Sequence, residues 1–213
     1  MTRATKTTIV AAIVLAVILI TIVGIKSFPP YRANPEPATG LSLIGLKVTA
    51  DIQPDSTILA QCTVDETNTT SRAIGVDNVN DVNIGDVRRA LDESGKSLKI
   101  SRRPQGGVFV TLAKPIPPGG TISYTIEFGM KNFFKKNSAG EYEAGMAANV
   151  GNVTEAHVVY VWRLPPGATL LEINQEMAAT TSGGHTELTF DRMIPPNGTF
   201  PIKFRYRPPI AAN

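Results

Sequence analysis

Cysteine is nearly absent from this chain, with Cys62 alone in 213 residues. One thiol closes no bridge within the chain, so no disulfide framework holds the fold. Cys62 falls in the alternating stretch TILAQCTVDE, where a small buried hydrophobe is the expectation. Histidine is as scarce, at His157 and His185. A cupredoxin-type copper centre needs a closely spaced Cys and His with a further His, a spacing missing here. The chain also has no HExxH zinc motif and no GxSxG elbow. Ser182-Gly183-Gly184-His185 superficially suggests a hydrolase serine, but it reads better as a hairpin loop between strands. Asp77–Asp86, DNVNDVNIGD, gathers oxygen ligands suited to calcium. Its spacing is not that of an EF-hand, and Asx-rich loops commonly join strands. We therefore expect no catalytic residue, no cofactor, no metal site and no small-molecule substrate.

Excess charge is missing as well. Of 21 Lys and Arg, three (Arg3, Lys6, Lys26) flank the first apolar segment, and the other 18 balance 18 Asp and Glu. A neutral main body argues against a nucleic-acid partner, which needs a basic face.

What the chain does have is one long apolar run. Thr7–Ile25 carries no charge and is mostly Ile, Val, Leu and Ala. As a helix it would span roughly 28 Å, close to the hydrocarbon thickness of a bilayer. Backbone inside lipid is satisfied only within a helix or a closed barrel. The expected layout is a short cytoplasmic end (1–6), a transmembrane helix (7–26) and a Pro-rich spacer (27–40). A signal peptide has a shorter apolar core, so the segment reads as an uncleaved anchor with the C-terminal domain extracytoplasmic. Thr8, Ala12 and Ala16 would put small residues on one side of that helix, a face for a partner helix. The spacer SFPPYRANPEPATG holds four prolines and reads as extended and semi-rigid.

Beyond the spacer the apolar pattern changes from continuous to alternating. IPPGGT (116–121) is nearly repeated as IPPNGT (194–199). The extended copies, VTLAKPIPPGGTISYTIEF and LTFDRMIPPNGTFPIKFRY, each hold an alternating run, a Pro-Pro turn and a second alternating run. Ile122, Tyr124, Ile126 and Phe128 match Phe200, Ile202, Phe204 and Tyr206 in phase, one face of a strand in each case. Pro followed by Gly or Asn suits a tight turn that needs a positive φ. The expected fold is therefore mainly β, an N-terminal transmembrane helix followed by two tandem Ig-like β-sandwich modules at 41–130 and 131–208, with a tail at 209–213. Strands are predicted near 43–52, 57–66, 72–79, 97–102, 107–113, 121–130, 141–149, 153–163, 168–174, 185–191 and 199–207. One helical turn is predicted at Gly85–Glu93, with Asp86 as its cap.

VVYVWRLPPGATLLEI followed by LTFDRMIPPNGTFPIKFRY resembles the paired β-sandwich ectodomains of ribophorin I. The pattern is also similar in style to the N-terminal sandwich of aminopeptidases of the thermolysin-like class. The resemblance covers the main body at the level of strands and turns and implies a scaffold or accessory role. It carries over no functional residue: the anchor here is N-terminal, unlike that of ribophorin I, and HExxH is missing.

Three N-x-[ST] sequons, at Asn68, Asn152 and Asn197, are candidate glycosylation sites. MKNFFKKN (130–137) reads as a junction whose Phe133 and Phe134 plug an interface. The functional expectation is an accessory or structural subunit of a membrane or envelope complex, with the bilayer and other membrane or envelope subunits as partners. The alternative is a pilin-like or surface-filament subunit with a processed N-terminus.

Overall fold

The structure is a computed structural model that describes residues 40–79, 86–102, 107–149 and 154–209. The expected anchor, its Thr8, Ala12 and Ala16 face, most of the spacer and Asn152 lie outside the described residues. Among those described, no helix is long and apolar enough to cross a membrane.

The described chain is built of β-strands. In order they are β1 (Leu41–Ile52), β2 (Ile58–Asn68), β3 (Ile74–Val79), β4 (Asp86–Asp92), β5 (Ser97–Arg102), β6 (Val108–Ile116) and β7 (Thr121–Met130). There follow β8 (Lys135–Lys136), β9 (Tyr142–Asn149), β10 (Ala156–Arg163), β11 (Thr169–Ile173), β12 (Ala178–Ser182), β13 (His185–Ile194) and β14 (Thr199–Arg207). They form a ten-stranded sheet, β12-β13-β10-β1-β2-β7-β4-β5-β6-β3, and a four-stranded sheet, β11-β14-β9-β8.

Period-two patterning explains the strands. On β2, Ile58, Ala60, Cys62 and Val64 are buried while Leu59 and Gln61 are exposed. On β7 and β14 the aligned residues of the sequence repeat do face the core: Tyr124, Ile126 and Phe128, and Ile202, Phe204 and Tyr206, are all buried. The predicted helical turn at 85–93 is instead β4. Its residues pair with Gly129–Tyr124 of β7, and a bulge between Val87 and Arg89 breaks the alternation. Strong helix formers in DVRRALD yield there to a sheet neighbour that buries Val87 and Ala90.

The large sheet folds back over itself. In strand order β3 is four places from β7, about 19 Å on a flat sheet. Yet the Tyr124 hydroxyl on β7 donates directly to Asp77 on β3. The fold falls at β4 and β5, joined through only Ala90↔Leu98 and Leu91↔Ser97. At the other end the small sheet covers β10 and β13, where Trp162 packs on Phe204 and Phe190 on Phe200. Phe133 stacks on Trp162 with centroids 5.4 Å apart, and Phe134 sits edge-on to Phe204 and Tyr206. The two phenylalanines of MKNFFKKN thus plug the core.

The two halves on either side of 130/131 share a sheet. Parallel β1 and β10 pair from Gly45↔His157 to Asp51↔Arg163, so one sheet runs through both halves. The described residues fall within one compact unit. Each half supplies its own covering layer, but the layer behind is shared.

The repeated hexamer is a corner that moves the chain between layers. Gly120 N donates to Pro117 O at 2.9 Å and Gly198 N to Pro195 O at 2.8 Å. The third residue has positive φ in both, +72° at Gly119 and +59° at Asn197. Pro at the second position and positive φ at the third define a type II turn. A third copy, LPPGAT, turns β10 into β11 with Ala168 N on Pro165 O at 3.0 Å and Gly167 at φ +78°. The residue before each Pro-Pro pair, Ile116, Leu164 or Ile194, is buried and anchors the corner.

Candidate interaction surface

The inner faces of the strands are committed to the core, so chemistry is sought on what they leave open. The outer face of the large sheet has no covering layer among the described residues. There β10, β1, β2 and β7 lie side by side and present a shallow groove of about 370 Å³. Thr49, Asp51, Gln61, Arg88, Glu127 and Arg163 line it.

Strand register builds its electrostatics. Asp51, Arg163 and Glu187 share one cross-strand row. Arg163 Nε lies 3.1 Å from Glu187 Oε2 and Nη1 3.4 Å from Asp51 Oδ1. In the next row Arg89 grips Glu127 with both arms, Nε at 2.7 Å and Nη2 at 2.8 Å, and Gln61 Nε2 donates to Glu127 Oε1 at 3.4 Å. These bonds, Arg89 first, hold the Glu127 carboxyl below its usual range. The bulge on β4 leaves consecutive Arg88 and Arg89 both exposed. Elsewhere on this face His157 Nε2 and Asp191 Oδ1 lie 2.7 Å apart. The surface is polar, open and charge-balanced, which suits contact with a protein better than enclosure of a small molecule.

A second polar cluster is buried. Glu66 continues the inward phase of β2, and Asp77 of β3 is 3% exposed. Asp77 accepts from the Tyr124 hydroxyl and from Asn78 N at 2.6 Å, and the Glu66 carboxyl neighbours it. Burial, then the Asp77 charge, pushes the Glu66 carboxyl up to about 8. Burial, then the two acids, also raises the Tyr124 phenol well above its ordinary value. Glu66 Oε2 is buried without a hydrogen-bond partner. This reads as a costly pin between layers.

The candidate sites divide. Asn68 is 1% exposed, and its Nδ2 donates to Arg72 O at 2.7 Å and Ile116 O at 2.9 Å. Its backbone closes the first corner through Gly120 O and Gly119 N. An amide so occupied is sequestered from a glycan-adding enzyme in the folded chain. Asn197 stands exposed at the apex of its corner. Ser182 and His185 close a two-residue Gly-Gly hairpin, with φ +59° and +79° at Gly183 and Gly184. Neither the groove nor the acid pair was singled out from sequence. The signal for Glu66 was its phase with Ile58, Ala60, Cys62 and Val64. The groove has no local signal, because its rows join strands distant in sequence.

Comparison with known proteins adds the fold. No known family's profile matches the chain, and no curated protein does. Among solved structures it is similar to an M1 zinc metallopeptidase of Deinococcus radiodurans bound to a Tyr-Ser-Ala substrate, with a TM-score of 0.55 and 14% identity. That match covers 79% of this chain and 42% of the peptidase. A two-domain M1 zinc metallopeptidase bound to L-arginine gives a TM-score of 0.55 at 15% identity, again over 79% and 42%. This chain therefore spans under half the length of these relatives in fold, and at such identity the likeness concerns the fold alone. They are metallopeptidase domains rather than ribophorin I.

Proposed function

We propose that this chain is a single-pass, membrane-tethered extracytoplasmic β protein that acts by binding, as an accessory or structural subunit of a membrane or envelope complex. The observation that carries this reading is the open outer face of the ten-stranded sheet, with its balanced charged rows across β10, β1, β2 and β7. The apolar run Thr7–Ile25 supports the tether and an extracytoplasmic β body. The missing HExxH supports a role without catalysis, even though the fold is similar to part of a peptidase. The Ig-like description of each half belongs to this reading and is supported by the shared corner turn. A glycan at Asn197, on the exposed corner, is compatible with it.

The test is purification of the full chain from its native membrane in mild detergent, beside an Arg163→Glu variant. The reading expects a stoichiometric partner with wild type and its loss with the variant, which turns the Asp51–Arg163–Glu187 row into three acids. Wild type isolated as a lone monomer contradicts it. Intact mass of the same sample separates the pilin-like alternative, which expects a processed N-terminus.

A further inference from the structure

The edges of the sheets are not equally protected. An edge strand offers unpaired N–H and C=O groups, and natural edges are blunted by charge, bulges or shortness. The edge strand β3 is bulged between Ile74 and Val76 and carries Asp77. In the small sheet, β11 is bulged between Leu170 and Glu172, and β8 is only Lys135–Lys136. The remaining edge, β12, has none of these devices. Its sequence AATTS carries no charge and no proline, all five residues are exposed, and its register with β13 is unbroken from Ala178↔Thr189 to Ser182↔His185.

The hairpin fixes which of its backbone groups face outward. Ser182↔His185 closes the two-residue turn and is a hydrogen-bonded pair, so Thr180↔Glu187 and Ala178↔Thr189 are too. The pairs between, Ala179↔Leu188 and Thr181↔Thr186, do not exchange backbone bonds. Two observations agree: Thr186 O turns away from β12 to accept from Leu164 N at 2.9 Å, and the hydroxyls of Thr181 and Thr186 meet at 3.2 Å, as side chains in a non-bonded pair do. The N–H and C=O groups of Ala179 and Thr181 thus point outward from the sheet, uncovered among the described residues.

We propose that β12 pairs antiparallel with β12 of a second copy of this chain, about a two-fold axis at Thr180. Only that centre places Ala179 of one copy opposite Thr181 of the other, so all outward groups are exchanged. Thr180 meets its symmetry mate as the non-bonded pair, with Cα atoms about 4.5 Å apart. The strand has no charge to repel itself. The nearest like charges, Glu187 and its mate, lie three strand spacings apart, about 14 Å. That exceeds the screening length of about 8 Å at physiological salt, and each Glu187 is already paired with Arg163. The contact is short, so the association is weak and reversible.

Disulfide trapping in the full chain in detergent tests this, because the native Cys62 is buried. Thr180→Cys puts two thiols within bridging distance, whereas Ala179→Cys leaves its copies offset by two residues, about 8 Å and too far. The expected result is a reducible homodimer forming at least tenfold faster with Thr180→Cys than with Ala179→Cys. Adding Thr181→Pro removes an outward N–H that β13 does not use, and should slow trapping at least tenfold without unfolding the chain. Equal rates at 179 and 180, no effect of the proline, no dimer, or capture of a different polypeptide would each overturn the proposal.

Discussion

Replacing Glu66 by Gln isolates the buried acid pair. In the folded chain the Glu66 carboxyl titrates at about 8, against 4.5 ordinarily. Between those values the folded state binds a proton that the unfolded state has lost, so stability falls as pH rises through the window and levels off above it. At about 1.4 kcal/mol per pH unit, the loss is on the order of 3–5 kcal/mol, a large part of a domain's total stability. Burial of the Glu66 carboxyl sets this first, and the Asp77 charge on β3 second. Gln keeps the shape, can donate to Asp77 and has nothing to ionise. Urea unfolding of the full chain, followed by the single tryptophan Trp162 at pH 5, 7 and 9, reads the effect. Wild type should be close to Glu66→Gln at pH 5 and less stable than it by about 3–5 kcal/mol at pH 9. A difference between the two that stays constant from pH 5 to 9 would refute the reasoning.

Other outcomes follow from named contacts. Asn68→Ala strands the Ile116 and Arg72 carbonyls and the Thr70 amide, and should cost about 2–4 kcal/mol in chemical unfolding. Peptide mass mapping should also find Asn68 without a glycan. Glu141 is held down to about 2, first by Asn137 and then by Arg207 and Arg205. Its contribution is present above pH 4.5 and is lost as pH falls through about 2, so Glu141→Gln should flatten the acid limb of a thermal-melting profile. Phe134→Ala removes edge contacts to Phe133, Tyr142, Phe204 and Tyr206, and should cost about 2–4 kcal/mol by thermal or urea unfolding.

Much of the strand pattern was legible because burial on one face writes a period of two into the sequence. β5 and β7 fall where the alternation put them, and β14 does as well. β4 was missed because its bulge destroys the period, and β12 because a fully exposed edge strand has no inward phase to show. The corners were legible as turn chemistry, since Pro and positive φ are local demands. Their meaning was not. A third corner at Pro165, inside one half, shows that the hexamer marks a change of layer wherever one is needed. The union of the halves through β1 and β10 rests on residues more than a hundred positions apart, and no local rule reports it. For the same reason Asp51, Arg163 and Glu187 gave no sign in sequence of meeting on one row.

The proposed function rests on two linked claims, that the chain is tethered in a membrane and that its outer sheet face is occupied there. Carboxylate labelling of Asp51, Glu127 and Glu187, compared between native membranes and the purified chain, tests them most directly. The account predicts strong protection of all three in the membrane and its loss on purification, with Glu93 on the β4–β5 turn labelled equally in both. Equal labelling of Asp51, Glu127 and Glu187 in the two samples would contradict it.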